Sequence, residues 1–353
     1  MQWQIERRAT PSTRMRVLAP LFATVLTLIA ASILFAAVGH NPARALYAFF
    51  VAPLSSLNGL SELCLKAAPL ILIACGLSIG FRANVWNIGA EGQLIMGAIG
   101  ACGLALFVPV PGPLLLPAMI VTGMVSGMLW AAIPAALKAY MNTNEILVSL
   151  MMTYLATLLL SWLVHGPLRD PMGFNYPQTA LLGQEAMFST FGYYRLNSSV
   201  WLTVIAVIAT WIFAERSFAG YRMAVDGAAP AAARYAGFGR SSSVFVGLLS
   251  GGAAAGIAGM AELSGPLGQL SPNISPGYGF AAIIVAFIGR LNAFGIVLAG
   301  FLMSLLFLGG EAVQITLGLP AALTRVMQGI LLIFLLGADF FVSHRLVRAR
   351  EAV

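Results

Sequence analysis

EGQLIMGAIGACGLALFVPVPGPLLLPAMIVTGMVSGMLWAAIPAALK, from Glu91 to Lys138, has 46 residues between its two charged ends and no charged side chain among them. A bilayer core about 30 Å thick is crossed by roughly 20 apolar helical residues. Pro109-Val110-Pro111-Gly112-Pro113 cuts the run near its middle, so it reads as two spans joined by a tight turn. Working outward, charge-free windows predict helices over 17–39, 60–81, 88–108, 114–137, 145–165, 199–214, 243–263, 279–289, 293–313 and 322–342. The predicted fold class is therefore all-α, a polytopic membrane bundle of about 10 transmembrane helices (8–10). The eighth window is short for a crossing and is expected to be tilted, broken or re-entrant.

Composition points the same way. The chain is 59% hydrophobic and 9% charged, with mean hydropathy +0.90. Its 37 glycines and 18 prolines suit membrane helices, where small residues let backbones approach. Cys64, Cys75 and Cys102 lie in or beside apolar segments without metal-type spacing and read as small packing residues. The net charge of +7 does not mark a nucleic-acid surface, because the basic residues sit at the ends of apolar windows. With ten crossings and a cytoplasmic N-terminus, fourteen of the 19 Lys and Arg residues fall inside. Only Arg44, Lys66, Arg169, Arg195 and Arg325 fall outside or in the outer half. That bias predicts both termini in the cytoplasm and an even number of crossings. The first window reads as an uncleaved helix; a cleaved signal peptide is the alternative, disfavoured by its length and its 16-residue polar leader. The expected layout is a cytoplasmic segment 1–16, a transmembrane domain 17–342 and a cytoplasmic tail 343–353. An external loop at 166–198 has the composition of a small folded cap, and the longest internal loop covers 215–242.

Two segments concentrate polar chemistry. Asn84-Val85-Trp86-Asn87-Ile88-Gly89-Ala90-Glu91-Gly92-Gln93 opens the third span, where an ionised Glu at a helix centre costs roughly 2.5–3.5 kcal/mol. One reading is a broken helix whose Asn87, Glu91 and Gln93 face a water-filled path or fix a gate. The other places Glu91 at headgroup level, pinning the helix end. The second segment is GYRMAVDGAAPAAARYAG at Gly220–Gly237. Asp226 suits a helix cap, Pro230 a first turn and Gly237 the position past a C-terminus. That predicts a short, small-faced helix framed by Arg222 and Arg234, able to lie in a partner's groove; a solvated connector is the alternative. Gly252 with Gly256, and Ala255 with Gly259, form small-xxx-small faces for close packing. Glu262 and Glu311 are expected at the membrane interface. Arg82-Ala83-Asn84-Val85-Trp86 is echoed by Arg290-Leu291-Asn292-Ala293-Phe294, as in a duplicated unit. No P-loop is present, and the two lysines, Lys66 and Lys138, do not follow a glycine.

Asn87-Ile88-Gly89-Ala90-Glu91-Gly92-Gln93 resembles a hallmark of the permease subunits of bacterial ABC importers in the ribose, branched-chain amino-acid and nucleoside group. Asn142-Thr143-Asn144-Glu145 with Leu147–Tyr154, Gly166–Pro171, the 220–237 stretch, Ser250–Gly265 and Gly277–Asn292 are similar to that group in the same order. Gly166-Pro167-Leu168-Arg169-Asp170-Pro171 resembles the nucleoside-type branch, which works with basic-membrane-lipoprotein-type binding proteins. Ala293 stands where the group usually has Pro, and Thr153 where it often has Asn. The resemblance implies a pore-forming subunit of the bacterial inner membrane with no ATPase site of its own. It also implies a second homologous permease, a cytoplasmic ATPase carrying ATP and Mg, and a periplasmic or lipid-anchored binding protein. Candidate pathway or gate residues are Asn84, Asn87, Glu91, Gln93 and Asn292. Candidate coupling residues are Arg222, Asp226, Ala228, Ala229, Ala232, Arg234 and Gly237. The expected substrates are nucleosides or related ribosides, with simple sugars or branched-chain amino acids as alternatives. The rival class is an ion-coupled secondary transporter, for which Glu91 is the carboxylate in view.

Overall fold

The computed structural model describes residues 3–7, 13–192, 194–320, 322, 325–327, 329–330, 333–334, 337 and 344–348. In chain order the helices are α1 (Thr13–Ala37), α2 (Pro42–Leu46), α3 (Leu57–Arg82), α4 (Ala90–Phe107), α5 (Gly112–Met141) and α6 (Glu145–His165). They continue with α7 (Val200–Arg216), α8 (Phe218–Ala228), α9 (Pro230–Tyr235), α10 (Arg240–Glu262), α11 (Tyr278–Ile288) and α12 (Ala293–Leu317). Among the described residues, α3, α4, α5, α6, α10 and α12 are long and apolar enough to cross a membrane, six in all. A seventh span forms if α7 and α8, bent by 69°, are taken together. The expected tenth window, 322–342, lies largely outside the described residues.

Helix ends follow local chemistry. Asn142 closes α5 in the left-handed region, φ 51°. Two residues later the Asn144 Oδ1 accepts from Ile146 N (3.0 Å) and caps α6. One backbone trick thus turns the chain between two spans. The seventh expected helix lengthens by a π turn at Leu263–Leu267, and the eighth is the 11-residue α11.

The chain divides into two compact units. In the unit of residues 61–304, α10 packs along α5 and α4. Its small residues explain the closeness. A Cβ on Gly252 would meet Ala131 Cβ at 2.6 Å, and one on Gly256 would fall on the Gly123 carbonyl. Gly259 lies against the Leu94 carbonyl of α4. The small faces read in the sequence are therefore the α10 packing surface. Glu262 is buried within the protein and lines a small cavity with Leu65, Pro69 and Thr203. The expected 166–198 loop folds onto the chain after α10: Phe188 N donates to Ser264 O (2.8 Å), Leu182 N to Gly268 O (2.9 Å) and Thr179 N to Leu270 O (3.0 Å).

The second unit holds residues 1–60 and 305–353. Phe35 and Phe49 are fully buried there, and Gly309 leaves room for the Phe49 carbonyl. Beside the helices of this all-helical fold lies one short antiparallel ladder, in which β1 (Trp3–Arg7) pairs with β2 (His344–Arg348), Ile5 opposite Leu346.

Candidate functional site

The chain leaves α3 at Arg82 and turns at Asn84, φ 55°, a conformation Asn tolerates better than most side chains. The Asn84 Oδ1 accepts from Trp86 Nε1 (2.9 Å). From Val85 to Gly89 the backbone is not helical, and α4 starts only at Ala90. Burial alternates through this stretch, with Ala83, Val85, Asn87 and Gly89 buried and the residues between them less so. Period two is the signature of an extended segment with one face on a core. That core is built by Ala83, Val85, Ala135, Met223, Val244 and Leu248.

Asn87 and Gln93 form a reciprocal amide pair. Asn87 Nδ2 donates to Gln93 Oε1 (2.9 Å), and Gln93 Nε2 donates to Asn87 Oδ1 (3.0 Å). Both are 1% exposed. Asn87 Oδ1 also accepts from Gly89 N (3.0 Å), and Ser149 Oγ accepts from Ile88 N (3.2 Å). The buried amides of Asn87 and Gln93 and the N–H groups of Ile88 and Gly89 are thus matched inside the protein, as buried polar groups require. Gly251 of α10 provides the space: a Cβ there would sit 2.6 Å from Asn87 Nδ2. Thr153 fills the next layer, its Cα 2.7 Å from where a Cβ on Gly92 would be.

Glu91 points elsewhere. Its Oε2 accepts from Gly279 N (2.7 Å), in the first turn of α11. A carboxylate at the start of α11 satisfies orphan N–H groups and faces the positive end of the helix dipole. Glu91 is 7% exposed and joins two helix starts. Asn292 caps α12, its Oδ1 accepting from Phe294 N (3.0 Å) and Gly295 N (3.3 Å). Of the five candidate pathway residues, Asn87 and Gln93 touch, Glu91 lies in the first turn of α4 but turns to the start of α11, and Asn84 and Asn292 occupy two turns. Among the described residues, no cluster of three His, Cys, Asp or Glu side chains could hold a metal ion.

The 215–242 loop is two helices, not one. Ser217 breaks the chain, its Oγ donating to Phe213 O (2.6 Å) and accepting from Gly220 N (2.9 Å). Asp226 does not cap a helix, as its sequence position had suggested. It lies inside α8, 2% exposed, and its Oδ2 accepts from Arg240 Nη1 (2.9 Å). Ala229 precedes α9 without a side-chain cap. Pro230 and Gly237 are where expected, Gly237 with φ +78° past the end of α9. Arg222 lies over the Phe238 ring, 5.5 Å from its centroid. Ala228, Ala229, Ala232, Arg234 and Gly237 are exposed, and Tyr235 is 97% exposed.

Sequence reasoning missed Arg82, Gly227 and Arg240, the residues that join these two regions. Arg240 Nη1 donates to Ala83 O (2.8 Å) as well as to Asp226. Gly227 of α8 lies where any Cβ would strike the Arg82 carbonyl. The α8 helix therefore grips the turn from which the buried entry segment starts. A pocket of about 440 Å³ opens beside this junction, lined by Lys138, Asn142, Arg240 and Ser241 among others.

Residues 59–336 match the family described as branched-chain amino acid transport system/permease component. The chain belongs to this family. It is 33% identical to the glucose ABC transporter permease protein of Haloferax volcanii, over 98% of this chain and 93% of the relative. It is 27% identical to the nucleoside ABC transporter permease protein of Lactococcus lactis, over 95% and 94%. The guanosine ABC transporter permease protein of Bacillus subtilis shares 27% identity over 90% of this chain and 92% of its own. No solved structure matches. The protein is thus a multi-pass permease subunit of an ABC transporter in the plasma membrane, a transport component that works with an ATPase and a substrate-binding protein.

Proposed function

We propose that this permease imports nucleosides or related ribosides, forming the pathway with a second homologous permease and drawing force from a separate ATPase that carries ATP and Mg. The grip of α8 on the turn at Arg82–Asn84 is the observation that carries the reading. The exposed α9 is free to meet the ATPase, while α8 holds the segment that bears Asn87, Glu91 and Gln93. A push on α9 is transmitted through Asp226, Gly227 and Arg240 to a buried amide pair and to the start of α11. These polar residues act as a gate, closed in this arrangement because each is satisfied within the protein. Alternating access then follows when the permease pair rocks and the amide pair parts.

In this reading the chain crosses the membrane ten times and the Arg82 turn, α8 and α9 lie in the cytoplasm. Pairing of β1 with β2 supports termini on one side of the membrane. The cap at 166–198 faces the binding protein, periplasmic or lipid-anchored. Resemblance to nucleoside and guanosine permeases supports the substrate class. A second reading, glucose or a similar sugar, is favoured by the 33% identity to a glucose permease. Uptake of radiolabelled guanosine and glucose by the assembled complex in proteoliposomes separates them: guanosine accumulation with ATP supports the first reading, glucose accumulation alone the second.

A further inference from the structure

The two turns read as an echo in the sequence meet at one side chain. Arg82 Nη2 donates to the Leu291 carbonyl at 2.8 Å, across 209 residues of sequence. The same guanidinium reaches the end of α7: Nη1 lies 3.4 Å from Ala214 O, and Nη2 3.4 Å from Glu215 Oε1. A cation at a helix C-terminus meets the negative end of its dipole. The α7 end is also where the chain bends into α8.

Both turns are held in costly backbone geometry. Asn84, Arg290 and Leu291 have φ of 55°, 53° and 55°, and Leu291 has no side-chain reason to accept it. Stacked rings also join the two turns. Phe81 and Phe287 centroids are 5.0 Å apart, and Trp86 and Phe287 5.3 Å, both pairs stacked. Meanwhile the Arg82 backbone carbonyl lies against Gly227 of α8. One residue thus touches α7 and the 291 turn with its side chain and α8 with its backbone. Its Nε is buried without an acceptor among the described residues, so the fork is not saturated in this arrangement.

We propose that Arg82 is the positioning residue that carries movement of the coupling helices to both turns at once. Through it, displacement of α7–α8 shifts the entry of α4 directly and the start of α12 through the Leu291 carbonyl. Without it, α8 still moves the 82–84 turn by way of Arg240, but the 290–292 turn is left behind. The planar fork matters, because a Lys ammonium is a single point that cannot serve Leu291 O and Ala214 O in the same geometry.

This inference rests on the coupling reading above and is tested in the complete assembly of this chain, ATPase, second permease and binding protein. The variants are Arg82→Gln, Arg82→Lys and Glu215→Gln, and the solute is whichever of guanosine or glucose the wild-type assembly accumulates. The expected result is uncoupling: in Arg82→Gln, solute moved per ATP hydrolysed falls about tenfold, the factor one charge-assisted hydrogen bond carries. Arg82→Lys falls less, and Glu215→Gln least. Hydrogen exchange gives the readout that mere loss of stability would not move. On adding a non-hydrolysable ATP analogue, wild type changes exchange at both 218–237 and 289–295; Arg82→Gln retains the first change and loses the second. Should Arg82→Gln fail to assemble, the same measurement on Arg82→Lys decides. A 289–295 segment that responds equally in the variant, or uptake and hydrolysis that fall in proportion, overturns the proposal. A wild-type assembly with no response at 218–237 overturns the coupling reading instead, and a wild type that moves neither solute overturns the substrate reading.

Discussion

A carboxyl group inside a helical bundle is a liability unless its oxygens are met, and Glu91 meets the start of α11. Glu91→Ala leaves the buried Gly279 N–H without its acceptor, a loss of about 1–3 kcal/mol. Glu91→Gln keeps one acceptor and costs less. Thermal unfolding of the purified permease in detergent orders them wild type, Gln, Ala; an Ala variant as stable as wild type contradicts the cap. The Asn87–Gln93 pair makes a similar prediction. Asn87→Leu strands the Gln93 amide at a cost of roughly 1–3 kcal/mol, and the second change Gln93→Leu recovers part of it, because removing both partners avoids the unpaired group. A double variant no better than the single one contradicts the pairing. At this scale the sequence exposed the residues and hid their partners. Asn87, Glu91 and Gln93 stood out as polar groups at the entrance of a span, but only folding shows that Glu91 turns from the other two toward a helix 188 residues away. Asp226 misled for a related reason. Its place before Pro230 fits a cap, whereas tertiary contact draws it inward to Arg240.

Helices pack here by the absence of side chains. Gly256→Leu would drive a Cβ into the Gly123 carbonyl and separate α10 from α5, so we expect a loss of about 1–3 kcal/mol or failure to assemble. Gly103 is a control within α4: nothing lies within 4 Å of its Cβ position, and Gly103→Ala is expected to be neutral or to gain up to about 1 kcal/mol from helix propensity. Equal damage from the two changes in a thermal-shift measurement contradicts glycine-mediated packing. On the outward side of α9, Ala232→Trp adds bulk to an exposed small face. It should leave permease folding intact while cutting ATPase co-purification about tenfold or more, as bulk in the core of an interface does. Full retention of the ATPase would remove α9 from the docking surface. The helices themselves were largely legible, because charge-free length records bilayer thickness. The break at Ser217 was not, since a polar serine in a loop gives no sign that its hydroxyl will both end α7 and cap α8.

For the molecule as a whole, what sequence could not reveal is the junction of distant turns. The Arg-x-Asn-x-aromatic echo marked both, yet nothing in either copy says that Arg82 will reach Leu291. Nor does it say that Arg240 will hold Ala83 while pairing with Asp226. In the proposed coupling these links carry force into the permease, because they fasten α8 to the buried entry segment. The direct measurement is solute accumulation in proteoliposomes, with this chain alone and with its ATPase, second permease and binding protein. Accumulation should require the full assembly and ATP, and should vanish for the chain alone under any imposed proton or sodium gradient. Uphill transport by the isolated chain would contradict the account.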